Sequence, residues 1–192
     1  MPFLSHILLG TTLAAIPALD ATQQRIIDTA EDGSQRLDEA AWYPLLRNAT
    51  EWSAGDEAGA RIPDYDALLQ APDAHRGELY LIEGQFAGRP RELGLARPGP
   101  WGETVTEWGI VTDAQQDRVA MVYLVDQPMG EGSNQPFAGQ RVRVAARFYK
   151  VWAQRDLEGQ PTLFLTFVGH SLTVDPIVGS PGPDLSEYWG VG

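Results

Sequence analysis

QRVRVAARFYKVWAQRD, residues 140–156, carries five of the fourteen Lys and Arg residues of a 192-residue chain. Successive side chains of a β-strand point to opposite faces. Read as a strand, the stretch puts Arg141, Arg143, Ala145, Arg147 and Tyr149 on one face. Val142, Val144, Ala146 and Phe148 fall on the other. A charged face backed by an apolar one is the pattern of a strand with one side in a core and the other in water. Lys150, the one lysine, breaks the alternation by falling on the apolar side. A bulge near Ala145–Ala146, or a strand end before Lys150, accounts for it.

The same period of two recurs on both sides. ELYLIEGQF (78–86), TVTEWGIVTD (104–113), RVAMVYLVD (118–126) and PTLFLTFVGHSL (161–172) are rich in β-branched and aromatic residues and are bounded by turn residues. DAQQD and AQRDLEGQ read as hairpin loops, and residues 87–103 and 127–139 as longer loops. Five short strands, with Gly84 placed to let a bent first strand pair on both sides, predict a small five-stranded OB-like Greek-key barrel. It occupies residues 76–174, ahead of a Pro/Gly-rich tail, 175–192.

Residues 22–75 read as helical and acidic. Ala21–Ala30 is a polar helix with Gly33 as its C-terminal cap. A second helix starts near Tyr43 or is kinked there by Pro44. Asp64–Gln70 is a third, between Pro63 and Pro72. The fold class is therefore mainly β with N-terminal helices (α+β). Residues 1–21 are apolar, and from Phe3 to Leu19 there is no Asp, Glu, Lys or Arg. That pattern predicts a signal-like segment or membrane anchor with a cleavage site near Ala18 or Ala21, and an exported or periplasmic location, the cytoplasm being the alternative.

The chain has no Cys, which excludes disulfides, Cys-ligated zinc and thiol nucleophiles. Its three histidines, His6, His75 and His170, have no metal-ligand spacing, so neither metal nor cofactor is expected. GHSLT (169–173) imitates a nucleophile elbow, but a Pro/Gly-rich segment follows where the elbow needs a helix. The net charge is −12. Nucleic-acid affinity rests on cations that neutralise phosphates, so this balance argues against a nucleic-acid partner.

AWYPLLRNA, HRGELYLIEGQF, WGETVTEWGIV and GQRVRVAARFYKVW together resemble an uncharacterised bacterial family of OB-fold-like proteins with a helical N-terminal part. The resemblance spans roughly residues 38–173. It implies an OB-like barrel, often exported or membrane-associated, and no activity.

The expected function is a non-enzymatic binding module of the cell envelope for a protein, glycan or lipid partner, with Trp101, Trp108, Tyr123 and Arg147 as contacts. One alternative is OB-type binding of single-stranded nucleic acid through Arg141, Arg143, Arg147 and Tyr149. Another is a hydrolase with a carboxylate-based site, for which no motif is present. The strand phase has a direct check. Val144→Asp places a charge in the core and is expected to abolish the folded circular-dichroism signal; a folded variant means the two faces are exchanged.

Overall fold

The computed structural model describes residues 16–88, 90–113, 118–127, 136–155 and 161–176. Its centre is a closed ring of five strands. β1 (Leu79–Phe86) pairs with β3 (Gly102–Thr112), and β3 with β4 (Val119–Leu124). β4 runs parallel to β6 (Pro161–Gly169), β6 antiparallel to β5 (Arg141–Arg155), and β5 returns to β1. This order, with one parallel pair, is an OB-like Greek-key ring. Two further strands lie off it. β2 (Arg91–Gly99) pairs with β3 as a hairpin inside the segment expected to be loop, and β7 (Thr173–Val174) lies beside β5.

Gly84 closes the ring. It is paired with Thr112 of β3 and with Val142 of β5, so β1 belongs to both halves there. A Cβ at Gly84 lies 2.0 Å from the Val111 carbonyl oxygen, so only glycine lets the two backbones approach.

Three helices accompany the ring. α1 (Ala21–Ile27) begins in a capping box in which Asp20 accepts from the Thr22 and Gln23 amides. It stops earlier than the sequence suggests. Gly33, at φ 71°, is not its cap but belongs to a later turn, where its amide bonds the Val151 carbonyl. α2 (Trp42–Ala49) holds Pro44 in its first turn, where a missing N–H costs nothing, so the proline marks a start and not a kink. α3 (Tyr65–Gln70) is capped by Asp64.

Two apolar cores share the strands. Inside the ring lie Ile82, Trp108, Val122, Val144 and Phe167, closed at one end by Tyr65 and Leu68 of α3. Outside it, α1 and α2 cover Tyr123, Tyr149 and Val168. Trp42 of α2 meets Tyr123 edge-on at 5.2 Å and stacks on Tyr149 at 6.3 Å. The face expected to be solvated is therefore largely a second interior.

Lys150 follows from this. The register shift lies between Phe148 and Lys150, not near Ala145–Ala146, and Tyr149 is the extra residue. Phe148 and Val151 both enter the inner core, which turns Lys150 outward under the segment that precedes α2. There it is fully buried, donating to Ser34 Oγ, the Arg36 carbonyl and the Glu39 carboxylate. A buried ammonium is tolerated only when paired and hydrogen-bonded in this way.

Gly84→Ala is expected to cost about 1–3 kcal/mol by overpacking. In a thermal melt that is a loss of roughly 3–10 °C. An unchanged midpoint contradicts the closure of β1 between β3 and β5.

Candidate ligand-binding cleft

The four residues expected as contacts do not form one surface. Trp108 is fully buried inside the ring, its Nε1–H donating to Thr106 Oγ1 at 3.0 Å. Tyr123 is fully buried beneath α2 and donates to Glu107 Oε2 at 3.0 Å, while Glu107 pairs with Arg91 at 2.9 Å. Burial, reinforced by the Glu107 carboxylate, pushes the Tyr123 phenol far above its ordinary range, so it stays neutral. Trp101 is half-buried and keeps part of its ring in solvent.

Arg147 lies outside the ring as the alternation requires, but it is only 8% exposed and not solvated. Its guanidinium donates to Asn48 Oδ1 at 2.8 Å, the Gly77 carbonyl at 2.6 Å and the Pro17 carbonyl at 2.8 Å. Trp52 lies beneath it at 5.8 Å. With no carboxylate partner among the described residues, burial lowers its pKa to about 10, and it remains charged at neutral pH. Tyr149 is likewise buried, its hydroxyl donating to the Leu37 carbonyl. Arg141 faces Asp113 at 2.7 Å, and Arg143 faces Glu57 at 3.2 Å. The strand that drew attention in the sequence is thus spent on folding.

Other polar groups singled out earlier are also engaged. His170 sits at the end of β6 with Nδ1 3.0 Å from the Ala49 carbonyl oxygen and Nε2 3.3 Å from Asp126. Glu78 accepts from Arg61, His75 and Tyr80. Burial raises the pKa of Glu78, but those three donors outweigh it and leave the carboxyl below its usual range.

One cleft, of about 630 Å³, opens between α1, α2 and the β2–β3 hairpin. Trp101 forms its hairpin wall. Its ring lies over Gly99, where a Cβ falls 2.5 Å from the indole, and its Nε1–H donates to the Arg97 carbonyl at 3.1 Å. Opposite stands Tyr43 of α2, ring centroids 5.4 Å apart and tilted 45°. The Arg97 guanidinium lies over the Tyr43 ring at 5.5 Å. Arg47, one helical turn beyond Tyr43, lines the same cleft.

Asp38 holds the two walls together. One of its oxygens accepts from the Tyr43 hydroxyl and the other from the Ala96 amide of β2. Burial and the Asp38 carboxylate push the Tyr43 phenol up to about 12, so it is a neutral donor at physiological pH. Arg47 and Arg97 are exposed and form no ion pair among the described residues. Arg61, Arg76, Arg91, Arg118, Arg141, Arg143 and Lys150 each face a carboxylate.

Of this cleft, the sequence reading contained Trp101 and the loop that bears it. Tyr43, Arg47 and Arg97 were missed, although Tyr43 and Arg47 stand four apart on one helix, as do Arg97 and Trp101 along the hairpin.

No protein-family model matches the chain, and no curated protein does. Among solved structures, it is similar to two of the mitochondrial single-stranded DNA-binding protein Rim1 from S. cerevisiae. The identities are 13% and 12%, the TM-scores 0.35 and 0.31, and each match covers 51% of this chain and 94% of the other. The exclusion of nucleic acid as a partner, drawn above from net charge, does not stand. The physical reason is that net charge is a property of the whole chain, whereas Arg47 and Arg97 line one cleft and form no ion pair among the described residues.

Arg147→Glu, harmless if that face were solvated, is now expected to unfold the protein. The new carboxylate faces three oxygen acceptors, and the loss is about 3 kcal/mol or more. Urea denaturation measures it, and a midpoint within error of the parent removes Arg147 from the packing described.

Proposed function

We propose that this protein is a non-enzymatic OB-like module that binds single-stranded nucleic acid at the cleft of Trp101, Tyr43, Arg47 and Arg97. One observation carries the reading: the cleft combines an aromatic pair with two cations outside ion pairs. Bases stack on aromatic rings, and phosphates pair with guanidinium groups. Stacking is tolerant of base identity because every base has a π-face, so the recognition is of single strands and not of a sequence. A duplex has its bases stacked on one another and does not offer them to Trp101.

Asp38 gives the cleft its shape before any ligand arrives, which lowers the ordering cost of binding. The neutral Tyr43 hydroxyl leaves Arg47 and Arg97 as the cleft's cationic phosphate donors.

Titration of the full chain with a fluorescein-labelled oligodeoxyadenylate at low salt tests the reading. Arg47→Glu and Arg97→Glu are each expected to weaken binding about tenfold or more, since a charge-assisted hydrogen bond is worth about 1.5–3 kcal/mol. Trp101→Ala is expected to lose about 1–3 kcal/mol of stacking. Both arginines are exposed, so circular dichroism of the variants stays that of the parent. Affinity unchanged in all three variants, or no binding by the parent at millimolar protein, sinks the proposal.

A further inference from the structure

We infer that the cleft takes a nucleotide-sized piece of a strand, one or two nucleotides with their phosphates, and that no longer track for a strand leads away from it across the described residues. This rests on the nucleic-acid reading above and gives its footprint.

Three observations carry it. The first is size. A cleft of about 630 Å³ lies in the range of small-molecule sites and is bounded on three sides by α1, α2 and the β2–β3 hairpin.

The second is the state of the sheet. A strand that tracks across an OB-like ring needs an exposed sheet face with aromatic platforms and a positive groove along it. Here the outer face of β3 and β4 is roofed. Glu107 and Tyr123 are bonded to each other and buried, and Trp42 lies on Tyr123. The aromatics of that face, Tyr123 with Tyr149 beside it, belong to the outer core.

The third is charge. Along the hairpin and across the ring, phosphates beyond the first two meet cations that already face a carboxylate among the described residues. Arg91, next along the hairpin, is held by Glu107. Across the ring, Arg141 and Arg143 are held by Asp113, Asp175 and Glu57. Arg25, on α1, is folded back onto the Ala21 carbonyl and Thr22 Oγ1. The cleft itself is rimmed by Asp20 and Glu51. Among the described residues, extending the ligand past Arg47 and Arg97 along the hairpin or across the ring therefore meets only cations already held by carboxylates.

The footprint has a direct readout in length and salt dependence. The probes are 5′-dAMP and 5′-phosphorylated oligodeoxyadenylates of two, four, eight and sixteen nucleotides, titrated against the full chain by calorimetry at several salt concentrations. Affinity is expected to rise from one to two nucleotides. Beyond that it grows only in proportion to the number of registers a longer strand offers. The slope of log K against log salt is expected near −1.4, about 0.7 for each of two phosphates. Arg47→Glu or Arg97→Glu is expected to halve that slope.

An affinity for the sixteen-mer more than tenfold above the register-corrected value for the dinucleotide overturns the inference while leaving the nucleic-acid reading intact. So does a slope steeper than about −3, which demands more than four phosphate contacts. Absence of binding at every length overturns the nucleic-acid reading itself, so the two failures are told apart.

Discussion

Arg147 is a charge taken out of water with no opposite charge to meet it among the described residues, and the outer half of the molecule is arranged around that constraint. Its three oxygen partners come from the segment before α1, from α2 and from the turn before β1. Asn48 is shared: its Oδ1 also accepts from Trp52 Nε1, and its Nδ2 donates to the same Pro17 carbonyl. A guanidinium presents its donors in a fixed fork, so the positions of the acceptors are specified closely. The helices thus sit on the ring in one register, set by hydrogen bonds to a strand residue. The apolar contacts of Trp42 and Leu46 fill in around it.

This arrangement explains which functional surface is left. An OB-like ring without an added layer has an open face on its central strands. Here that face is an interior, and the Pro17 carbonyl, within the apolar N-terminal segment, helps to seal it. The cleft lies on the line where the layer meets the β2–β3 hairpin. The cleft exists because α2 presents Tyr43 and Arg47 along its edge while the hairpin folds up beside it. A single carboxylate, Asp38, joins the two.

Much of the ring was legible because its information is local. Alternation in Val142–Phe148 marks the inner face correctly, and Gly84 between two strands marks the closure. Pro44 and Asp64 mark helix starts to within a residue or two. The outer layer was not legible in the same way. Arg141, Arg143 and Arg147 are equivalent by periodicity, yet the first two meet carboxylates in solvent and the third is buried. What separates them is the distant segment that lands on each, and alternation contains no such term. The bulge was expected three residues too early for a related reason. Its position is decided by which of Tyr149 and Lys150 the N-terminal segment can satisfy, with a carbonyl for one and Glu39 for the other. The cleft was half legible. Trp101 in a Gly/Pro-rich stretch stood out, whereas Tyr43 and Arg47 read as ordinary helix residues until the hairpin is placed next to them. The hairpin strand itself, LGLARPG, has too much glycine and proline to announce a strand.

The two apolar cores meet only through the strands they share, and this has a consequence for how the molecule opens. The ring keeps its backbone ladder whether or not the helices are seated, because none of those ladder bonds is made to the layer. The layer holds on mainly through side chains, Arg147, Lys150 and several aromatic rings among them, with two backbone bonds to β5, from the Gly33 amide to the Val151 carbonyl and from the Ala153 amide to the Ser34 carbonyl. Partial opening therefore proceeds from outside inward, with amides of α1 and α2 exchanging with solvent ahead of those in β3, β4 and β6. The intermediate so exposed displays Tyr123, Tyr149 and Val168 as a contiguous sticky surface on an otherwise intact ring. Such a surface invites self-association, and the seating of two short helices is what covers it.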